Sequence, residues 1–125
     1  MLPITCTSPE ESAACPIRSV LSRVMGKWQM IIILSLEDGA LRFADVRRAI
    51  GDVTQRVLTE NLRGLEKDGY LTRTVLSGPP LAVTYELTER GHDLVRVVKP
   101  MVFWARDNME DVKRSRTAFE VENPS

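Results

Sequence analysis

Cysteine is scarce: the 125 residues include two, Cys6 and Cys15. That is too few for the disulfide scaffold of a small secreted domain. There is one histidine, His92, and no second histidine or cysteine is spaced to share a metal with it, so no zinc-type ligand pattern is present. Long apolar runs are missing too. The segment 30–36 is far too short to span a bilayer. No basic segment precedes an apolar one at the start of the chain, so no signal peptide and a cytoplasmic location are expected. No glycine-rich phosphate-cradling pattern occurs. The acidic pairs Glu37 with Asp38 and Glu110 with Asp111 are adjacent in sequence, so on a helix they point apart and cannot share acid–base work. These absences predict a protein that is not an enzyme and uses neither metal nor cofactor.

Charge of one sign is also absent, since 17 Lys and Arg balance 17 Asp and Glu. Any affinity for a polyanion must therefore come from local clustering. Between residues 42 and 73 the basic positions are 42, 47, 48, 56, 63, 67 and 73 and the acidic ones 45, 52, 60, 66 and 68, a net of +2. Non-specific attraction to nucleic acid should then be modest. A hydrophobic content of 43% suits one compact core and leaves no room for a second domain of ordinary size.

The most ordered pattern lies at 52–71, DVTQRVLTENLRGLEKDGYL. Wound at 3.6 residues per turn, it places Val57, Leu58, Leu62 and Leu65 on one side and Gln55, Arg56, Thr59, Glu60, Arg63, Glu66 and Lys67 on the other. Thr54 is its expected N-cap and Gly69 its C-terminal stop. A shorter amphipathic segment, 43–50, ends at Gly51, so two helices meet across a tight glycine-containing turn. The runs YLTRTVL and LAVTYEL flank SGPP, whose Gly78, Pro79 and Pro80 cannot continue a strand, and predict a hairpin. Two helices, a turn and a hairpin form the order of a winged helix-turn-helix, with the second helix as reader.

Upstream, residues 1–14 hold little that could pack and read as a mobile arm. A helix over 15–25 follows, with Pro16 at its first turn and Ile17, Val20, Leu21 and Val24 in one stripe. The next helix, from Trp28 to about Leu36, is apolar almost all round and should occupy the middle of the core. Leu41 to Phe43 could add a short strand to the hairpin. After the hairpin, Thr88 reads as an N-cap and Glu89 as the first turn of a helix running to 116, with Pro100 inside it and a frayed tail over 117–125. Its apolar band exceeds what one core needs. The expected class is therefore α+β, mainly helical: a winged helix-turn-helix domain over 15–116 with dimerisation helices at 15–25 and 89–116. The expected interface residues are Ile17, Val20, Leu21, Val98, Met101, Trp104, Ala105 and Met109.

By the words CP at 15–16, MGKWQMIIIL at 25–34, LRFADVRRAI at 41–50, VTQRVLTENLRGLEKDGYLTR at 53–73 and YELTERG at 85–91, together with Trp104, the chain resembles the HxlR-type transcriptional regulators. The resemblance implies a homodimeric repressor or activator that binds double-stranded DNA at an inverted-repeat operator. Gln55, Arg56, Thr59 and Arg63 would then face the groove, with Arg42, Arg47, Arg48 and Arg73 as further DNA contacts. It also implies, from several members, redox or electrophile sensing by a cysteine near the N-terminus. Here that is Cys15, just before the helix start at Pro16, where the dipole favours thiolate; Cys6 is a candidate resolving thiol, and a small electrophile or oxidant the candidate signal. The alternative is a cysteine that merely packs. Three departures from the family pattern leave room for a winged-helix module that binds protein instead of DNA. Glu60 and Asn61 stand where Gln and Arg are usual, Gly64 replaces a commoner Glu, and Ala82 replaces the wing's usual Arg or Lys.

Overall fold

The computed structural model describes residues 16–124. In chain order its elements are α1 (Pro16–Val24), α2 (Gln29–Ser35), β1 (Leu41–Arg42), α3 (Phe43–Ile50), α4 (Gln55–Lys67), β2 (Leu71–Leu76), β3 (Ala82–Leu87) and α5 (Glu89–Glu122). The α3–turn–α4–hairpin order is that of a winged helix-turn-helix, and the class is α+β, mainly helical, as the sequence predicts. The strands form one antiparallel sheet in the order β1-β3-β2. Leu41 pairs with Tyr85 and Arg42 with Thr84, while the wing runs in register from Leu71 opposite Leu87 to Leu76 opposite Ala82.

The chain divides into two compact units, one ending at Val95 and the other beginning at Arg96, where the sequence suggests one domain over 15–116. The first unit owns a continuous core. Ile32, Ile33 and Leu36 from α2 and its end, Val46 from α3, and Leu58, Leu62 and Leu65 from α4 are all but inaccessible to solvent. Leu71, Tyr85 and Leu87 bring the sheet onto the same cluster. The α4 contribution follows from its i, i+4, i+7 spacing. On α2 the all-round apolar pattern is only partly used, because Ile31 remains 40% exposed.

Both ends of α4 are closed by local chemistry. Val57 N–H donates to Thr54 Oγ1 at 3.2 Å. At the other end Gly69 takes φ +83°, Gly69 N–H donates to the Glu66 carbonyl and Tyr70 N–H to the Leu65 carbonyl. This double bond closes the last turn and redirects the chain into β2. Thr88 caps α5 in the same way, accepting from Gly91 N–H at 3.2 Å while its hydroxyl donates to the Gly69 carbonyl at 2.6 Å. From there α5 continues through Pro100 to Glu122, so residues 117–122 are helical and not part of a frayed tail. No glycine or proline lies between residues 101 and 123 to stop it.

Gly64 is buried, although the sequence places it as a helix-weakening substitution on α4. A Cβ at this position would run into the guanidinium of Arg23. With only hydrogen there, Arg23 crosses from α1 and its Nε donates to Asp68 Oδ2 at 2.7 Å, the two side chains 37% and 32% exposed. The glycine thus trades helix propensity for a contact between α1 and α4. Gly64→Ala should accordingly gain less than the ~1 kcal/mol of propensity expected in an open helix, because Arg23 has to move. In an Arg23→Ala background the same change should stabilise by about 1 kcal/mol. Urea unfolding of the four proteins gives the coupling. Equal effects in both backgrounds would show that Arg23 does not rest on Gly64.

Candidate nucleic-acid interface

The burial of Leu58, Leu62 and Leu65 decides which side of α4 is left to solvent. Gln55, Arg56, Glu60 and Arg63 are exposed and Thr59 is half-buried, so the residues predicted to read DNA do share one accessible face. They are not equally free. Arg56 Nε donates to Glu60 Oε1 at 3.2 Å, in a pair whose side chains are 88% and 64% exposed. Thr59 Oγ1 donates to the Gln55 carbonyl at 2.8 Å, which commits its hydroxyl proton and leaves its oxygen as an acceptor. Arg63 has no ion-pair partner among the described residues.

Tertiary structure brings Arg73 of β2 beside Arg63. Together with Thr59, Glu66 and Tyr85 they line a hollow of about 270 Å³. Sequence reasoning missed Glu66 and Tyr85 as neighbours of these arginines, and no local signal announces the pairing, since it depends on how β2 and β3 pack beside α4. A second hollow of about 410 Å³ lies at the helix-turn-helix corner, lined by Phe43, Ala44, Arg47, Arg48, Gly51 and Gln55. Within it Arg47 and Arg48 differ. Arg47 Nε donates across the turn to the Val53 carbonyl at 3.2 Å, and Arg48 pairs with Asp45 on its own helix at 2.8 Å. Arg42, at the start of α3, is exposed and has no carboxylate partner among the described residues.

The wing tip carries no basic side chain. Val75, Leu76 and Leu81 are exposed there by 51%, 43% and 74%, and Ala82 opens β3. The cationic part of this surface is therefore the α3–α4 corner and the Arg63–Arg73 pair, not the tip of the hairpin.

Of the residues expected at a dimer interface, Val20, Leu21, Met101, Trp104, Ala105 and Met109 are exposed and Ile17 is half-buried. Val98 is buried. Val97, Phe103 and, on the added turns of α5, Phe119 and Val121 are exposed apolar residues that the predicted interface omitted. The signal for the last two was the unbroken helical composition after residue 116. Cys6 and Cys15 lie outside the described residues. His92 is exposed on α5.

Residues 23–113 match the model of the HxlR-like helix-turn-helix family. YtfH of Escherichia coli, described as an HTH-type transcriptional regulator, is 37% identical over 98 residues, 78% of each chain. The solved structure of the transcriptional regulator YtfH from Salmonella typhimurium superposes with a TM-score of 0.79 at 35% identity, covering 84% of this chain and 94% of that one. The redox regulator HypR in its reduced form superposes with a TM-score of 0.73 at 37% identity, covering 79% and 98%. The family and these relatives are regulators, not enzymes. No helix among the described residues is long and apolar enough to cross a membrane.

The unequal anchoring of the two adjacent arginines has a measurable consequence. Arg47→Ala removes a bond that ties α3 to the turn before α4 and should lower unfolding stability by about 0.5–1.5 kcal/mol. Arg48→Ala breaks only an exposed pair on one helix and should stay within about 0.5 kcal/mol of the parent. Denaturant midpoints decide it; equal losses would mean that the Arg47 bond does not hold the turn.

Proposed function

The chain belongs to the HxlR-like helix-turn-helix family of transcriptional regulators, and on that footing we propose that it binds an inverted-repeat operator in duplex DNA as a homodimer in the cytoplasm. The observation that carries the reading is the accessible face of α4, held outward by three buried leucines and flanked by Arg63 and Arg73. A helix presented in this way, with Gln and Arg side chains at its N-terminal turns, fits the major groove and its base edges. In this reading Gln55, Arg56, Thr59 and Arg63 approach the bases. Arg42, Arg47, Arg48 and Arg73 meet phosphates, with Arg47 keeping one donor on the protein. The bare wing tip and the Arg56–Glu60 pair lower indiscriminate attraction to DNA, in keeping with a chain of no net charge. Those same features are what a protein-binding module would also show. The grouped arginines at the α3–α4 corner and beside β2 favour DNA.

Dimerisation through α1 and α5 is supported by the exposed Val20 and Leu21 and by the row Met101, Trp104 and Met109. Apolar patches of this kind mark interfaces, and a two-fold pair would present two copies of α4 to one side of the duplex. Redox sensing through Cys15 is supported by its place one residue before α1 and by the relatedness to a protein described as a redox regulator. Cys6 is the second thiol of the chain and its candidate partner.

Selection of bound sequences from random duplexes by the purified protein tests the DNA reading. The expected product is an inverted repeat whose half-sites lie about one helical turn apart, or a multiple of that. Arg56→Ala should then cost roughly 1–3 kcal/mol and relax one position of the site, whereas Arg73→Ala should weaken all duplexes alike and reduce the salt slope by about one. A selection that enriches nothing would reject the DNA reading and leave the protein-binding one.

The sensor is tested separately, by operator binding before and after mild diamide. The native protein should lose affinity and Cys15→Ser should keep it. Equal behaviour of the two proteins removes Cys15 as the sensor.

A further inference from the structure

We propose that the hollow between α1 and the C-terminal end of α4 is a binding site for a small, multiply charged anion of the carboxylate or phosphate class. It measures about 730 Å³, a volume in the range of metabolite sites. Arg18 and Arg23 from α1 and Lys67 from the last turn of α4 face it, against the single carboxylate of Asp68. The hydroxyls of Ser19 and Ser22 and the amide of Gln29 complete the wall, so every lining side chain is polar.

The charge is one-sided in a chain that is neutral as a whole. The Asp68 carboxylate engages only Arg23, through Nε at 2.7 Å, which leaves the rest of that guanidinium with donors to give. Neither Arg18 nor Lys67 has an ion-pair or hydrogen-bond partner among the described residues. Two unpaired cations and a half-used third, converging with hydroxyl and amide groups, are the set that recognises carboxylate or phosphate oxygens through charge-assisted hydrogen bonds. The burial of Leu58, Leu62 and Leu65 does not need this cluster, and the apolar stripe of α1 runs along other positions of that helix. The site is also distinct from the proposed DNA surface. Lys67 lies one turn beyond Arg63, roughly 6 Å along the helix axis, and the two hollows share no lining residue.

An anion seated here competes with Asp68 for Arg23. Occupancy therefore loosens the clasp that joins α1 to α4 across Gly64, and the strength of binding reports on that clasp.

Titration calorimetry of the full chain with inorganic phosphate and with citrate, at constant ionic strength, tests the site. The expected result is saturable binding at one site per chain, with a rise in the thermal midpoint as anion is added. Arg18→Gln combined with Lys67→Gln should weaken binding about tenfold or more; both side chains are exposed, so the variant should melt at the parent temperature without anion. Asp68→Asn should tighten binding by removing the internal competitor. A response that does not saturate, or one untouched by the Arg18 and Lys67 changes, overturns the proposal. So does binding that survives those changes and is lost instead in Arg63→Gln with Arg73→Gln, since the anion would then be occupying the DNA surface. Unchanged affinity in Asp68→Asn would overturn the competition.

Discussion

The closure of α4 at Asp68, Gly69 and Tyr70 is the constraint on which the first unit depends. Within three residues the chain ends α4 and enters the wing, and it meets α1 and the start of α5 there. The Asp68 carboxylate takes Arg23 from α1, its carbonyl accepts from Arg90 Nη1 at 2.7 Å, and the Gly69 carbonyl accepts from Thr88 at the start of α5. Thr88 N–H in turn donates to the Tyr70 carbonyl at 3.1 Å. A helix end normally leaves its last carbonyls without partners. Here those and the neighbouring groups become the points at which α1 and the start of α5 are tied down.

That arrangement separates the work of α4 along its length. Its C-terminal half is committed to the fold through Leu62, Leu65 and the Asp68 contacts, while its N-terminal turns, entered from Thr54, carry the exposed Gln55, Arg56 and Thr59. Rigidity at one end gives the other a defined direction, which recognition of base edges requires. The electrostatics are restrained in the same region. Glu60 on Arg56 and Asp45 on Arg48 partly cancel two of the arginines, and the wing tip adds none. Arg63 and Arg73, which have no carboxylate partner among the described residues, come from α4 and β2 and share one hollow only because the sheet and α4 are adjacent.

Much of this was legible in the residues. Thr54, Gly69 and Thr88 stand where the caps are observed, the hairpin lies around its Gly-Pro-Pro turn, and the leucine spacing selects the buried face of α4. Each is a short-range rule: a side chain and a backbone group within a few residues, or a period along one helix. The misreadings have the opposite character. Gly64 reads as a weakness until Arg23, 41 residues earlier, is seen lying over it. The bond from Arg47 to the turn at Val53 is likewise invisible in the residues. The helical residues beyond 116 were a local misjudgement, since nothing in that stretch breaks a helix.

The sequence by itself determined the order of elements, the caps that bound them, the family and the face of α4 that stays in solvent, because all of these follow from local periodicity and local hydrogen bonding. The i,i+3 and i,i+4 spacings of Asp45 with Arg48 and of Arg56 with Glu60 are local too; tertiary structure alone decided that Arg63 and Arg73 share one hollow and that Arg18, Arg23 and Lys67 face another. The reason is physical: a charge acts at a distance of ångströms, and whether two charges come that close depends on how separate elements pack, which no spacing along the chain records.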